Sequence, residues 1–174
     1  MKSHQVYSEL REHLSPFFKA NGFKRAKTML SWVRPHRELF LGAWCQVSQD
    51  GWDEYAGSKF AVEFQIGHEP TIGLRTIRRE RIGELLNDSD RETIQTLQND
   101  VISGLTHPPK DHGLLHASET LRTWYLNKFE PIQHPYGQRD DIWFRYSSTD
   151  DIEKWAQFLI DKLPGAIQQI ETWA

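Results

Sequence analysis

Three arginines between residues 75 and 79 have a spacing and a chemistry that fit anion binding. Arg75, Arg78 and Arg79 stand at i, i+3 and i+4, which would place them on one face of a helix. The guanidinium fork matches the geometry of phosphate and carboxylate groups. The pattern therefore indicates a site for an anion or an acidic partner. The alternative, which we favour, is a solvated helix face that pairs with Glu80, Glu84 and acids from the second half of the chain.

Three histidines form the second group with a possible chemistry. His112 and His116 are four residues apart, and His107 precedes them in a proline-rich stretch. On one helix face, two imidazoles at this spacing would suit a metal ion. Gly113 follows the first histidine, where the helix of a zinc protease carries glutamate. We therefore expect solvated loop histidines, with no metal and no cofactor.

Aromatic residues between two predicted strands form the third group. Trp52 and Tyr55 lie in a loop bounded by glycines and have no place in a periodic apolar pattern. Such aromatics act as recognition anchors or as lids folded over a sheet edge, and both interpretations stay open. With Lys24, Arg25 and Lys27 near the same end of the sheet, they offer a surface for single-stranded nucleic acid. The basic excess of this region is small, so we do not expect nucleic acid as the partner.

Nucleophilic and acid–base chemistry find little support in the sequence. Cys45 falls on the apolar face of a predicted strand, where a thiol behaves as an inert small hydrophobic group. The adjacent acids at 140–141 and 150–151 are typical of turns and helix caps. No nucleophile elbow, Walker sequence or dinucleotide fingerprint occurs. The sequence therefore favours a protein that is not an enzyme and leaves an enzyme open as the alternative.

Composition and charge limit the class of protein. The chain has 174 residues, 38% hydrophobic and 26% charged, which fits one globular domain over 1–174. It has no apolar run long enough for a membrane span, no signal sequence and a single cysteine, so we expect a cytoplasmic protein. Residues 1–81 carry 13 Lys and Arg against 9 Asp and Glu, and residues 82–174 carry 8 against 15. This asymmetry marks two oppositely charged faces or cancels in the folded chain, and we favour cancellation.

The periodicity of apolar residues predicts an α+β fold. Helical spacing covers 4–20, where Pro16 should kink or split the helix, and strict alternation over 59–67 indicates a half-buried strand. Capping patterns begin helices at Ser89, with Glu92 three residues on, and at Ser148. We expect an antiparallel sheet of about four strands, with an N-terminal helix and three to four further helices mainly on one face. The other predicted strands are 28–34, 38–48 and 142–146, and the other helices include 74–87 and 114–129.

A combination of short motifs in the first half resembles a known family. The residues are Gly22-Phe23-Lys24-Arg25 after a helix, Trp32-Val33-Arg34, Gly51-Trp52, and the strand from Phe60 to Ile66 before an arginine-rich segment. This order is similar to a family of small bacterial proteins catalogued as a domain of unknown function. The resemblance implies a helix followed by a sheet, and a bacterial, cytoplasmic protein. It implies no activity.

The functional prediction is a non-catalytic binding module with a protein partner. Its binding surface would combine the aromatic loop, Trp52 and Tyr55, with the arginine-bearing helix. The alternative is a protein that binds a small anionic or phosphate ligand, or a hydrolytic enzyme, with arginines and histidines in one cleft. We do not expect a membrane partner, and the oligomeric state is left open.

Overall fold

A computed structural model describes residues 1–27 and 30–174, and within those ranges it contains four α-helices and one antiparallel sheet of six strands. The α+β class is confirmed, with more strands than the sequence predicts. The strands are β1 (Lys24–Arg25), β2 (Leu30–His36), β3 (Leu39–Val47), β4 (Ser58–Gly67), β5 (Thr76–Arg81) and β6 (Phe144–Tyr146). The helices are α1 (Ser3–Ala20), α2 (Asp88–Ser103), α3 (Glu119–Leu126) and α4 (Thr149–Glu171). Short 3-10 turns occupy Ile82–Leu85, Gly113–His116 and Asn127–Phe129.

Strand β4 organises the sheet. The strand order is β1-β2-β3-β4-β5, and β6 also pairs with β4. The first residues of β4, from Ser58 to Phe60, pair with β6, whereas Glu63 to Gly67 pair with β5. Strands β5 and β6 therefore lie at opposite ends of the same edge of β4.

The main core lies between one face of the sheet and helices α1 and α4. The alternation predicted for 59–67 is confirmed, because Phe60, Val62, Phe64 and Ile66 all point into this core. Helix α1 packs on β1, β2 and β3 and on α4, while α4 packs on β4 and β6. Helix α4 begins at the predicted cap, where the Ser148 hydroxyl accepts a hydrogen bond from the Asp151 N–H at 3.2 Å.

The opposite face of the sheet is covered in part by the segment 68–75. Gln65 holds this segment, donating to the Thr71 carbonyl at 3.2 Å and accepting from the Gly73 N–H at 2.8 Å. The side chain of Ile72 fills the space above Gly42, where an added Cβ would lie 2.6 Å from its Cδ1. This face therefore carries polar and charged side chains alongside a loop.

The helix predicted over 74–87 is wrong. Those residues form strand β5 and the 3-10 turn that follows it. Strand β5 contains a bulge: Arg78 is opposite Ile66 and Thr76 is opposite Gly67, which leaves Ile77 unpaired. Cross-strand pairing along β4 therefore overrides the local helical pattern.

Helix boundaries differ from the sequence prediction at three places. Helix α1 continues through Pro16 without a break. The cap of α2 is Asn87, which exchanges hydrogen bonds with Asp90, so the box predicted at Ser89 is displaced by two residues. The helix predicted over 114–129 is divided into two 3-10 turns and the short α3. The first two residues of the strand predicted over 28–34 lie outside the described residues.

Among the described helices, none is both long enough and apolar enough to cross a bilayer.

Candidate functional site

The arginines predicted as a site lie on β5 and in the turn before it, and each has a carboxylate partner. Arg75 lies 3.6 Å from Glu69. The Arg78 Nε donates to Glu80 at 2.6 Å, and its guanidinium lies over the ring of Trp173 at 4.5 Å. These two arginines are therefore neutralised locally.

Arg79 lies on the other face of the strand, with Arg81. The Arg79 Nε donates to Glu63 at 2.5 Å, and its guanidinium lies 4.8 Å from the ring of Trp44. Arg81 contacts Asp141 and lies 3.4 Å from Glu63, whose side chain is 3% exposed. We call Arg75, Arg78, Arg79 and Arg81 the β5 arginines. They do not share one face, and they form ion pairs rather than an open anion site.

The three histidines are held by three different contacts. The ring of His112 stacks on Tyr125 at 5.1 Å and 7°, and His107 stacks on Phe129 at 4.9 Å. His116 Nε2 lies 2.9 Å from the Lys110 carbonyl. In residues 1–27 and 30–174, no three His, Cys, Asp or Glu side chains form a cluster suited to a metal ion. The pockets lined by the β5 arginines Arg78 and Arg79 contain no histidine, so the structure does not assemble the Arg/His cleft there.

The two aromatics of the loop fold back onto the protein. Trp52 is half-buried, stacks on Tyr146 at 5.9 Å and packs against the main core. Tyr55 packs against a small second cluster and meets His112 edge to face at 5.4 Å. These contacts favour the lid interpretation for both side chains.

The loop that carries these aromatics is fixed by Asp53. Its Oδ1 accepts hydrogen bonds from the N–H groups of Tyr55 at 2.9 Å and Ala56 at 2.7 Å. The Tyr125 hydroxyl donates to the same carboxylate at 3.1 Å. Burial raises the pKa of Tyr125, and the hydrogen bond and charge of Asp53 raise it further. The hydroxyl therefore keeps its proton and ties the loop to α3.

Gly57 lets the loop approach β6 closely. Its φ is +66°, and an added Cβ would lie 2.2 Å from the Tyr146 carbonyl oxygen. The backbone groups of Asp53 and Gly57 pair in both directions, at 3.0 and 2.9 Å. These contacts hold the loop against β6.

Next to this loop lies a surface pocket of about 230 Å³ with a cationic lining. Loop residues Gly51, Ala56 and Gly57 form one side, and the residues after α3 form another. We call it the basic pocket, after the three cations that line it: Lys59, Lys128 and Arg145. The loop predicted from the sequence thus borders the site, but its aromatic side chains are not among the lining residues.

Two cations of the basic pocket are held opposite each other. Lys59 on β4 is the direct register partner of Arg145 on β6, on the face away from the main core. Like charges in directly opposed positions destabilise an antiparallel pair. Asp50 is the one carboxylate among the lining residues, 3.5 Å from Lys59. No described carboxylate forms an ion pair with Lys128 or Arg145.

Burial makes the positive charges of Lys128 and Arg145 less favourable. It lowers the pKa of Lys128; the negative charges of Asp50 and Asp53 oppose this shift, and the smaller effects of Lys59 and Arg145 act in the same direction as burial. It also lowers the pKa of Arg145, whose Nη2 donates to the Lys128 carbonyl at 2.6 Å. A partly desolvated cation cluster of this kind is suited to holding an anion.

An exposed tryptophan borders the basic pocket. Trp124 lines the pocket and is 47% exposed, and the Lys128 Nζ lies 3.9 Å from its ring centre. In the helix predicted over 114–129, Trp124 falls in the apolar pattern, which predicts a place in the core or at its edge. Helix α3 instead buries only Tyr125, since it is short and packs against 3-10 turns.

The basic pocket carried no local signal in the sequence. Lys59, Lys128 and Arg145 come from β4, a 3-10 turn and β6, and no two of them are close along the chain. Alternation in the two strands places Lys59 and Arg145 on outward faces, but it does not reveal that β4 and β6 pair. That pairing brings the charges together.

Comparison of the chain with protein-family models, with curated proteins and with solved structures finds no match in any of the three. The resemblance to a bacterial family therefore stays a prediction.

Proposed function

We propose that the protein is a non-catalytic binding protein whose ligand presents an anionic group to the basic pocket. The observation that carries the proposal is the direct opposition of Lys59 and Arg145 across β4 and β6, with Lys128 beside them. Such an arrangement is unfavourable in the free protein and becomes favourable once a counter-charge is bound.

Charge complementarity supports an anion over other ligands. The chain as a whole carries a net charge of −3, so three clustered cations with one lining carboxylate stand out from their surroundings. Lys128 and Arg145 form no described ion pair, unlike the β5 arginines. A carboxylate or phosphate would accept hydrogen bonds from both, and charged hydrogen bonds are the stronger kind.

The lining of the basic pocket supports binding rather than chemistry. It contains no histidine and no cysteine, and its carboxylate, Asp50, is engaged by Lys59. The hydroxyls of Ser48 and Ser58 have no imidazole among the lining residues to act as their base. The anionic group can come from an acidic side chain of a protein partner or from a free small molecule. We further propose a cytoplasmic setting, supported by the composition and the single cysteine.

Titration of the purified protein with inorganic phosphate and with acetate, followed by isothermal calorimetry and by backbone amide shifts in NMR, tests the proposal. We expect saturable binding of phosphate with shifts centred on Gly51, Lys59 and Arg145. Lys128→Met and Arg145→Gln should each weaken binding by about tenfold, since each removes a charged hydrogen-bond donor.

Arg78→Gln is the matched control, because it removes one positive charge from a paired arginine away from the basic pocket. It should change phosphate affinity by less than about twofold. Thermal melts confirm that each variant is folded. Absence of saturable phosphate binding, or an equal loss in the control, would contradict the proposal.

A further inference from the structure

A second, larger cavity adjoins the basic pocket. It measures about 670 Å³ and lies between the start of α1 and the loop after β3. Its lining combines the apolar side chains of Trp52, Tyr146, Val47 and Met1 with polar residues that include Lys2, His4 and Gln49. We call it the Trp52 cavity. Its size lies within the usual range for small-molecule sites, whereas the basic pocket alone lies below that range.

The two cavities meet at residues that line both. These are Ser48, Gly51 and Ser58. Gly51 has a φ of +80°, and no atom lies within 4 Å of the place where a Cβ would stand. The boundary at this point is therefore bare backbone with open space beside it. At Gly51, therefore, no side chain separates the two cavities.

The charge of the basic pocket suits a dianion. Asp50 lies 3.5 Å from Lys59, and no described carboxylate lies at ion-pair distance from Lys128 or Arg145, although the negative charges of Asp50 and Asp53 act on Lys128 from farther away. A carboxylate would neutralise one of these two positive charges. A phosphate monoester carries close to two negative charges near neutral pH and offers three acceptor oxygens.

The Trp52 cavity suits an apolar ring. Trp52 stacks on Tyr146 with one face and is half-buried, so part of its ring remains exposed to the cavity. Aromatic rings pair favourably with one another and add to the gain from burial of apolar area. Trp52 therefore folds back over the sheet and at the same time lines a cavity next to the basic pocket.

We propose that the ligand is a phosphate monoester with an apolar, ring-sized organic group, its phosphate in the basic pocket and its organic group in the Trp52 cavity. This inference rests on the proposed function, because it requires an anion at Lys128 and Arg145. It goes further in naming the class of ligand and a second contact surface.

The experiment compares inorganic phosphate, phenyl phosphate and benzoate by calorimetry on the full chain. We expect phenyl phosphate to bind about tenfold more tightly than inorganic phosphate, because its ring leaves water, and benzoate to bind more weakly than phenyl phosphate. Trp52→Leu should reduce the preference for phenyl phosphate to below about threefold and leave the affinity for inorganic phosphate unchanged. Nuclear Overhauser contacts between the phenyl protons and Trp52 provide a second readout in the unmodified protein.

Trp124→Leu is the matched control, since Trp124 lines the basic pocket but not the Trp52 cavity. It should keep the preference for phenyl phosphate. Loss of the preference in Trp124→Leu alone, or equal affinities for phenyl phosphate and inorganic phosphate, would overturn this inference and leave the proposed function standing. Absence of phosphate binding would overturn both.

A third probe distinguishes two sources of the same chemistry. N-acetyl-phosphotyrosine amide carries the phenyl phosphate group on a peptide backbone. Binding at least as tight as that of phenyl phosphate would assign the ligand to a phosphorylated side chain. Weaker binding would assign it to a free small molecule, and the phosphate monoester would be retained in either case.

Discussion

The β5 arginines and the basic pocket lie toward opposite ends of β4 and differ in how their charges are matched. At one end, Arg75, Arg78, Arg79 and Arg81 each have a carboxylate within 3.6 Å. At the other end, Lys59 has Asp50, while Lys128 and Arg145 form no described ion pair. The two groups approach each other at Trp143, whose ring lies 5.2 Å from the Lys59 Nζ and 4.6 Å from the Arg81 guanidinium.

The difference shows that cations clustered along a sequence need not be available to a ligand. The β5 arginines attract notice because they are close in the chain, yet cross-strand acids such as Glu63 neutralise them. The cations of the basic pocket are scattered in the chain and meet only through the pairing of β4 with β6. Whether a cation can bind a ligand therefore depends on the carboxylates that lie near it in the folded protein.

The largest effect is expected at the wall of the basic pocket. Gly57→Ala should lower the free energy of unfolding by about 3 kcal/mol or more, because its Cβ would collide with the Tyr146 carbonyl and its φ is positive. Gly51→Ala, also at positive φ but with open space, should lower it by about 1 kcal/mol. Urea unfolding measures both. An equal loss of unfolding free energy in the two variants would show that the close approach of Gly57 to β6 does not add to the cost of a Cβ there.

The next prediction compares two acids: Glu63, which pairs with the β5 arginines and should stabilise the fold, and Asp50, which should compete with a ligand in the basic pocket. Glu63→Gln should lower the free energy of unfolding by about 2 kcal/mol, a value discounted because the Arg79 side chain is half exposed. Asp50→Asn should change it by less than about 0.5 kcal/mol. It should also raise phosphate affinity by about threefold, because it removes a competing anion from the basic pocket.

Chemical unfolding and phosphate calorimetry on both variants check this contrast. A loss of phosphate affinity in Glu63→Gln, or a loss of stability in Asp50→Asn as large as in Glu63→Gln, would break the distinction between the two ends of β4.

A pH dependence should distinguish the basic pocket from the β5 arginines. Burial lowers the pKa of Lys128 from its usual 10.5, so the side chain loses its proton earlier as the pH rises. Anion binding favours the protonated form, and phosphate affinity should therefore fall as the pH rises toward 10.5, earlier than for a lysine whose pKa is not lowered by burial. Calorimetry over this range measures it. Lys128→Met should flatten the profile, and an unchanged profile in that variant would assign the dependence to another group.

The smallest effect is expected at the most exposed of the β5 arginines. The side chain of Arg75 is 67% exposed and lies 3.6 Å from Glu69. Arg75→Gln should change the free energy of unfolding by less than about 0.5 kcal/mol and leave phosphate affinity unaltered. Thermal melts and the phosphate titration check both. A measurable loss of affinity would return the β5 arginines to the list of candidate sites.

Elements with strong local patterns were predictable from the sequence. The alternation of Phe60, Val62, Phe64 and Ile66 predicts β4 and its buried face, and Ser148 with Asp151 predicts the start of α4. Strand β5 was not predictable, because the spacing of Arg75, Arg78 and Arg79 also fits a helix and the pairing with β4 that decides for a strand is not local. The sequence predicts a functional role for the loop after β3, but in the structure its aromatics face the core clusters and its backbone faces the basic pocket.

The bulge at Ile77 lies on the edge strand of the sheet, where a second molecule could add a strand. Strand β5 ends the strand order of the sheet, and the side chains of Leu74 and Ile77 beside it are 53% and 52% exposed. An open edge with apolar side chains invites a second chain to add a strand and start aggregation. The unpaired Ile77 interrupts the regular hydrogen-bond ladder at this edge, and an interrupted ladder is a poorer template for an added strand.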